Sequence, residues 1–215
     1  MSKISLKHSG GNVVSLNSPT SAPTSADVAF KLPNADGSAS EALITDGSGN
    51  LSFASVAGGK ILQVVQTVKT DTATISSTNT NNFVDLTGLS VSITPSATTS
   101  KVLIIMNPAL SMAAGTLHIR LLRGSTDIFQ GDSGGGNRLS SSVLHRSAYT
   151  NHYCETLSGT FLDSPNTTSA TTYKLQGTLG ATYNSIININ RTPDDDNYDY
   201  GGRVVSTMTA MEIAA

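Results

Sequence analysis

The chain has 215 residues, of which 13 are Lys or Arg and 15 are Asp or Glu, so its formal net charge is −2. Only 13% of the residues are charged, roughly half the usual share, and 38% are hydrophobic. This balance supplies no basic field for a nucleic-acid backbone, and no apolar run reaches the roughly 18 residues of a membrane helix. The single cysteine, Cys154, excludes an intrachain disulfide framework and a zinc site built on several cysteines. We therefore expect no nucleic-acid partner and no membrane insertion.

Residues 1–57 are poor in large apolar side chains and rich in turn-forming residues. The apolar runs 42–45 and 51–53 flank a loop at 46–50 whose Asp, Gly and Asn residues tolerate positive φ, which predicts a β-hairpin. A segment of this size without disulfides or metals cannot bury enough surface to be stable alone. We therefore expect an anchor ordered by contact with other chains, with a disordered tail as the alternative. The apolar residues expected to make these contacts are Val28, Phe30, Leu32, Leu43, Leu51 and Phe53.

The pattern changes after a glycine-containing stretch at 58–60, which we interpret as a hinge between residues 1–57 and a head domain at 61–215. Segment 89–95 alternates with period two, and the continuous apolar run 102–106 predicts a strand covered on both faces. No stretch has the spacing of an amphipathic helix. About eight strands separated by Gly, Asn, Asp and Ser loops predict an all-β fold, with an extended N-terminal anchor and a jelly-roll β-sandwich head.

Two neighbouring segments in the first part of the chain carry a distinctive pattern. Segment 30–40 reads Phe-Lys-Leu-Pro-Asn-Ala-Asp-Gly-Ser-Ala-Ser, and segment 43–53 reads Leu-Ile-Thr-Asp-Gly-Ser-Gly-Asn-Leu-Ser-Phe. Together they resemble a segment that recurs in fibre and other structural proteins of tailed bacteriophages, particularly marine ones.

The order of segments in the head is similar to that in the C-terminal domains of such fibres. These segments are 89–95, 100–104, 119–126 and 206–213. Their order is also similar in outline to the trimeric tumour-necrosis-factor/C1q-like jelly rolls, in which the last strand lies near the trimer axis. The resemblance covers nearly the whole chain.

The resemblance implies a virion structural protein without enzymatic activity. It would be a homotrimer that contacts other capsid or tail proteins through its N-terminal segment. A complete host-binding tail fibre is usually much longer, so a trimeric surface spike, a short fibre or a capsid decoration protein fits the length at least as well. Such a protein would be located on the virion surface after synthesis in the host bacterial cytoplasm, in agreement with the absence of an apolar secretory core at 1–11.

A host receptor- or glycan-binding module of a tail fibre is the alternative function. Tyrosine and asparagine side chains on loops stack and hydrogen-bond at small entropic cost, as such a contact needs. The lack of Trp and the aromatic content of 5% weaken this alternative. The residues considered for the contact are Asn151, Asn197, Tyr198 and Tyr200.

The segment Gly-Asp-Ser-Gly-Gly at 131–135 matches the nucleophile signature of chymotrypsin-like serine proteases. That chemistry needs a histidine base that is oriented by a carboxylate. The upstream histidines are His8 and His118, and neither stands in the Thr-Ala-Ala-His-Cys context of that family. We therefore interpret the segment as a loop and expect no catalytic residue.

Four aspartates lie within six residues in the last quarter of the sequence. Their carboxylates are candidate ligands for a structural calcium ion, the one cofactor considered for this chain. An EF-hand is excluded, because no Glu stands where the twelfth position of that loop requires it. An ordinary acidic loop tip is the alternative. The four residues are Asp194, Asp195, Asp196 and Asp199.

Overall fold

The computed structural model describes a chain built from β-strands. It divides into two compact units, Met1–Ala57 and Gly58–Ala215, and only Lys60 of the predicted hinge is described. The described residues form seventeen strands, and no helix among them is long and apolar enough to span a membrane. The prediction of an all-β fold is confirmed. The described residues are 3–7, 9–11, 13–17, 21, 30–55, 60–77, 82–132, 134–147, 152–180, 186–199 and 201–215.

The described part of the N-terminal unit contains two hairpins. Strand β1 (Lys3–Lys7) pairs antiparallel with β2 (Val13–Asn17), and β3 (Glu41–Thr45) pairs antiparallel with β4 (Leu51–Ser55). The second hairpin is the one that the sequence predicts. A two-stranded hairpin is at best marginally stable in water, so each needs further contacts to be well ordered.

Asp46 holds the turn of the second hairpin. Its Oδ1 accepts hydrogen bonds from the backbone N–H groups of Ser48 at 2.8 Å and Asn50 at 3.2 Å. The hydrogen bond from the Asn50 side chain lowers the pKa of Asp46, and the backbone bonds lower it further. Gly47 and Gly49 have φ values of 78° and 89°, which a Cβ would oppose. The predicted loop therefore owes its shape to the glycines and to one carboxylate.

The head unit is a β-sandwich formed by strands β5 to β17, and all their pairings are antiparallel. Their bounds are β5 (Ile61–Lys69), β6 (Ala73–Ser76), β7 (Val84–Ile93), β8 (Lys101–Asn107), β9 (Ala109–Ser111), β10 (Gly115–Arg123), β11 (Thr126–Phe129), β12 (Val143–Ser147), β13 (Glu155–Thr156), β14 (Gly159–Asp163), β15 (Thr171–Gly180), β16 (Ile186–Ile189) and β17 (Ser206–Ile213).

The order of the strands is that of a jelly roll. Strands β5, β7, β8, β10, β12, β14, β15 and β17 can be counted as first to eighth along the chain. One sheet then has the order first, eighth, third, sixth, which is β5-β17-β8-β14. The opposite sheet has the order second, seventh, fourth, fifth, with β11 also paired to β10. A short sheet, β13-β9-β16-β6, accompanies these two. The predicted jelly-roll sandwich is thus confirmed.

One apolar core lies between the sheets, and strand β8 shows how the chain divides between core and surface. Val102, Ile104 and Met106 are fully buried, whereas Leu103 and Ile105 on the other side of the strand are partly buried. The single chain therefore covers one face of this run completely and the other face in part, so the predicted cover on both faces is incomplete. Other fully buried large side chains of the core are Leu89, Leu110, Met112, Leu117, Ile119, Leu121, Tyr173, Leu175, Ile187 and Ile189.

A buried carboxylate, Asp163, joins the two sheets. Its two oxygens accept hydrogen bonds from Nη1 of Arg123, both at 2.9 Å, and Oδ2 accepts a third from the hydroxyl of Tyr173 at 2.7 Å. Burial raises the pKa of Tyr173, and the adjacent carboxylate raises it further, so the phenol stays protonated. Asp163 therefore has both a positive partner and a neutral donor.

A second buried carboxylate, Glu212, is held by neutral donors. It accepts hydrogen bonds from Nε2 of Gln63 and from the N–H and hydroxyl of Ser96, each at 2.7 Å. Burial raises its pKa, but the bonds from Gln63, Ser96 and Ser100 outweigh that effect and lower the pKa to about 2. Glu212 is therefore ionised in the core near neutral pH.

Candidate functional site

The N-terminal unit leaves most of its predicted anchor residues uncovered. Leu32 is 78% exposed, whereas Leu51 is half-buried. Val28 lies outside the described residues. Large apolar side chains that stay in water on a surface are candidates for contact with another protein. The exposed anchor residues are Phe30, Leu32, Leu43 and Phe53.

A short segment that contains part of the phage-like motif lies beside the second hairpin. The backbone N–H of Lys31 donates to the carbonyl of Gly49 at 2.8 Å, and the carbonyl of Lys31 accepts from Leu51 at 2.9 Å. This bridge is parallel, with Lys31 opposite Asn50. It places the motif segment 30–40 next to segment 43–53, the two parts that the resemblance joins.

The same segment and the hairpin enclose a groove lined by Leu32, Pro33, Leu43 and Phe53. At Gly37 a Cβ would lie 2.5 Å from the ring of Phe53, so any larger residue there would displace the ring. The glycine of the motif is thus needed for the close approach of backbone and ring. Asn34, Ala35 and Asp36 complete the lining, so the groove has an apolar side and a polar side.

The outer face of the sheet β12-β10-β15-β7 is polar, and we call it the charged face. Arg120 donates to Oδ2 of Asp127 and to Oε1 of Gln176, both at 2.9 Å. Asp85 accepts from Lys174 at 2.9 Å and from Gln176 at 2.6 Å, and the bond from Lys174 lowers the pKa of Asp85. Each of these charges has an opposite partner, and Oδ1 of Asp127 is buried without a hydrogen-bond partner among the described residues.

The outer face of the sheet β14-β8-β17-β5 is apolar, and we call it the apolar face. Cross-strand register places Val64 opposite Met211, Met211 opposite Leu103, and Leu103 opposite Leu162. These four residues form one row across all four strands, and Ile105 lies beside it on β8. No acid or base belongs to the row.

The acidic loop is held by arginines. Both oxygens of Asp195 lie 3.0 Å from Nη2 of Arg203, and Nη1 of Arg191 lies 3.8 Å from Oδ2. Asp195 has a φ of 48°, which fits its position in a tight turn. Within the ranges that the structure describes, no three acidic, His or Cys side chains are placed to hold a metal ion. Asp194, Asp196 and Asp199 are exposed, and the calcium site stays a prediction.

Asn190, at the base of this loop, connects it to the sandwich. Its buried amide donates to the carbonyls of Lys69 at 2.7 Å and Asp71 at 2.9 Å, and its Oδ1 accepts from the hydroxyl of Ser206 at 2.6 Å. These bonds join the end of β5 to the start of β17. The loop thus projects from a rigid corner of the sheet that carries the apolar face.

Two of the predicted receptor-contact residues lie on the acidic loop. Tyr198 is 63% exposed, and Asn197 beside it is also exposed. Asn151 and Tyr200 lie outside the described residues. The structure therefore places an aromatic and an amide side chain next to each other on the surface of the head.

A cavity of about 500 Å³ lies beside His118 and is also lined by Thr116 and Arg138. The Nδ1 atom of His118 is buried and has no hydrogen-bond partner among the described residues, and burial lowers the pKa of this imidazole. A catalytic triad needs a carboxylate on that nitrogen. Ser133 of the protease-like segment lies outside the described residues. Among the described residues, no carboxylate is placed on that nitrogen.

Comparisons with known proteins do not assign the chain to a family. No family model and no curated protein matches the chain. Among solved structures, the infectious bursal disease virus VP2 subviral particle is similar, with a TM-score of 0.34 and 12% identity, covering 77% of this chain and 40% of that chain. The Gt strain of that virus gives a TM-score of 0.38 and 14% identity, covering 98% and 46%. The chain spans less than half of these structures. Likenesses of this size identify neither a family nor a function.

Sequence reasoning missed the apolar face. Val64 and Leu162 lie almost one hundred positions apart, and only the register of four strands brings them into one row. One signal was present, because the continuous apolar run at 102–106 demands cover on both sides of its strand. We expected the rest of the chain to cover both sides of this strand, whereas the structure leaves Leu103 and Ile105 on its outer side partly exposed.

Proposed function

We propose that this chain is a non-enzymatic structural protein of a bacteriophage virion. It forms a homotrimeric surface spike, a short fibre or a capsid decoration protein, and lies on the surface of the particle. The observation that carries this proposal is the N-terminal unit, which exposes Phe30, Leu32, Leu43 and Phe53 around its groove. These side chains need a protein partner to leave water, and the rest of the virion supplies one.

Two further observations support a structural role. The segments 30–40 and 43–53 that resemble phage structural proteins are the segments that build the groove. The head has one continuous apolar core and two buried carboxylates that accept hydrogen bonds, as a durable module needs.

The test is to locate the protein on purified phage and to break its anchor. Antibody labelling in electron microscopy should find it on the particle surface, on capsid or tail. Replacing Leu32 and Leu43 with Asp should reduce its incorporation at least tenfold, because a charged side chain in the groove opposes burial. The control is Leu144→Asp, an exposed leucine in the head. The proposal fails if wild-type particles do not contain the protein.

The alternative, a receptor- or glycan-binding module, is favoured by one observation, the exposed pair of Asn197 and Tyr198 on a loop held by Asp195 and Arg203. If this alternative holds, purified protein competes with phage for adsorption to host cells, and Tyr198→Ala weakens the competition at least tenfold. If the purified protein does not reduce phage adsorption at any concentration, the receptor-binding alternative is wrong.

A further inference from the structure

The cavity of about 500 Å³ beside His118 lies where the charged face meets the loop between β11 and β12. Strands β10 and β15 supply Thr116, His118 and Gly180 to its lining, and the loop supplies residues 136–139. Sites for small molecules have volumes of about 300–1,000 Å³. The cavity is therefore large enough for a ligand the size of one sugar ring.

The loop that supplies residues 136–139 is tied to the sheet at its base. The N–H of Gly131 donates to the carbonyl of Ser141 at 3.1 Å, which closes the loop. The N–H of Ser142 then donates to the carbonyl of Ile119 on β10 at 2.7 Å. The wall that the loop contributes to the cavity is thus attached to the strand that contributes the opposite wall.

Three glycines shape the loop around Arg138. Gly135 and Gly136 have φ values of 67° and 65°, a conformation that a Cβ would oppose. At Gly134 a Cβ would lie 2.8 Å from Cδ of Arg138, and the carbonyl of Gly134 accepts from Nη1 of that arginine at 3.2 Å. Two of these glycines belong to the protease-like segment 131–135, which therefore serves here to place an arginine in the cavity wall.

Two arginines at this end of the charged face differ from the others in their electrostatic partners. Of the six arginines in the sequence, four lie between 2.9 and 3.8 Å from an aspartate oxygen. Among the described residues, no acid pairs with Arg138 or with Arg146, which lies on β12 opposite Thr116. The positive charge beside the cavity is therefore not neutralised by the described chain, and it attracts an anion.

Several polar atoms of the lining have no partner within the described part of the chain. Nδ1 of His118 is buried and unpaired, and Nε and Nη2 of Arg138 make no hydrogen bond to a described residue. A buried polar atom without a partner is costly, and the polar group of a ligand would remove that cost. Thr116 and Asn137 add a hydroxyl and an amide to the wall, and no acid belongs to the described lining.

The charge of the lining favours a carboxylate over a phosphate. Burial lowers the pKa of His118, so the imidazole is neutral near neutral pH and the positive charge of the described lining is that of Arg138. One guanidinium matches the single charge and the planar oxygens of a carboxylate, whereas a phosphate monoester carries about 1.5 to 2 charges. The amide of Asn137 and the hydroxyl of Thr116 can both donate to and accept from the hydroxyl groups of a sugar.

We propose that the cavity beside His118 binds a sugar acid, that is, a monosaccharide unit that carries a carboxylate. Arg138 holds the carboxylate, and Asn137 and Thr116 form hydrogen bonds to the hydroxyl groups of the ring. The site lies on a different loop from the pair of Asn197 and Tyr198. It therefore depends neither on the location of the protein on the virion nor on a receptor contact at that pair.

The test titrates the full chain with D-glucuronate and, as its neutral match, D-glucose. Isothermal titration calorimetry should give a Kd of about 1 mM or below for glucuronate and at least about tenfold weaker binding of glucose, which lacks the carboxylate. Arg138→Gln should weaken glucuronate binding at least about tenfold. Arg138 is exposed, so this variant keeps the core. A wild-type protein that does not bind glucuronate, or that binds both sugars equally, overturns the inference.

The matched control is Arg146→Gln, which removes the same charge from a residue that is near the cavity but is not in its described lining. It should weaken glucuronate binding by less than about threefold, because an exposed charge without direct contact contributes little. Equal losses in the two variants would indicate a general positive field and overturn the inference. Circular dichroism checks that both variants are folded.

Two further measurements identify the ligand chemistry and its place. Inorganic phosphate should bind more weakly than glucuronate, and tighter binding of phosphate would contradict the assignment of a carboxylate. In NMR spectra, the imidazole signals of His118 should move when glucuronate is added, whereas those of His152, which is not in the described lining, should stay. Glucuronate binding that leaves the signals of His118 in place would locate the ligand elsewhere and count against the cavity.

Discussion

The two sheets of the head are alike on the inside and opposite on the outside. Both turn aliphatic side chains toward one core. Outside, the charged face carries Arg120 and Lys174 with their acid partners, and the apolar face carries Leu103 and Met211 in the same alternating positions. An ion pair on the surface contributes only about 0.2–1 kcal/mol to the stability of the fold, but its charged groups remain hydrated. An apolar row gains its free energy only when something covers it.

This difference shows that two sheets can share one apolar core and still present outer faces of different polarity to water. On the charged face, Arg120 and Lys174 are each paired with an acid of the same chain. The apolar face and the groove of the N-terminal unit both remain open, and both therefore direct the chain toward other proteins. The function that we propose follows from where the chain leaves apolar area uncovered.

The largest effect is expected at Asn190, which ties the ends of the strands that carry the apolar face. Asn190→Ala removes three hydrogen bonds, two of them buried, and places Ala at a φ of 62°, so it should lower the free energy of unfolding by about 3 kcal/mol. Urea unfolding measures the loss. Asn190→Gly tolerates the φ and should lose about 1 kcal/mol less. Equal losses would show that the backbone contributes nothing.

A smaller effect, about 2 kcal/mol, is expected at Glu212, beneath the apolar face. Its folded pKa of about 2 lies below its ordinary value of 4.5, so its stabilising effect is complete above about pH 4.5 and is lost as the pH falls toward 2. Glu212→Gln should lower stability at pH 7, because an amide cannot accept all the bonds from Gln63 and Ser96. It should also flatten the acid dependence of the unfolding free energy. A variant with an unchanged acid profile would contradict the assignment.

The charged face should lose about 1 kcal/mol when Arg120 becomes Met, because Asp127 and Gln176 then lose their shared donor. Lys174→Met, which breaks a more exposed pair with Asp85, should cost at most about 0.5 kcal/mol. Both are measured by thermal and urea unfolding in low and high salt. Neither should change the assembly state, and a variant that dissociates the protein would show that the charged face is also a contact.

The smallest effect is expected from calcium. Because Arg203 occupies both oxygens of Asp195, added Ca²⁺ or EDTA should leave the melting temperature unchanged. A rise with Ca²⁺ that Asp194→Asn removes would contradict this expectation and establish the site.

Much of the fold was predictable because its signals are local. The hairpin at Glu41–Thr45 and Leu51–Ser55 follows from a loop of Asp, Gly and Asn between apolar runs. Several strands of the head follow from the alternation of apolar and polar residues. The bounds of β17 agree closely with the segment 206–213 identified in the sequence. Short strands such as β9 (Ala109–Ser111) were missed, because three residues carry no periodic signal.

The candidate site was less predictable because its parts are distant in sequence. The exposure of Phe30 and Leu32 could be expected from composition, but the role of Gly37 beneath the ring of Phe53 could not. The aspartate cluster predicted a cation site, which stays a prediction, and the structure pairs Asp195 with Arg203, eight positions further along the chain. A cluster of acids in a sequence does not show which basic side chains will pair with them in the folded protein.

The sequence by itself determined an all-β chain, because period-two alternation and turn residues act over a few positions. It also led to the expectation, which stays a prediction, that the first 57 residues cannot bury enough surface alone. Only the tertiary structure decided which sheet face stays apolar, since Val64, Met211, Leu103 and Leu162 come from four separate strands. The physical reason is that strand register, set by the whole sandwich, chooses which side chains become neighbours.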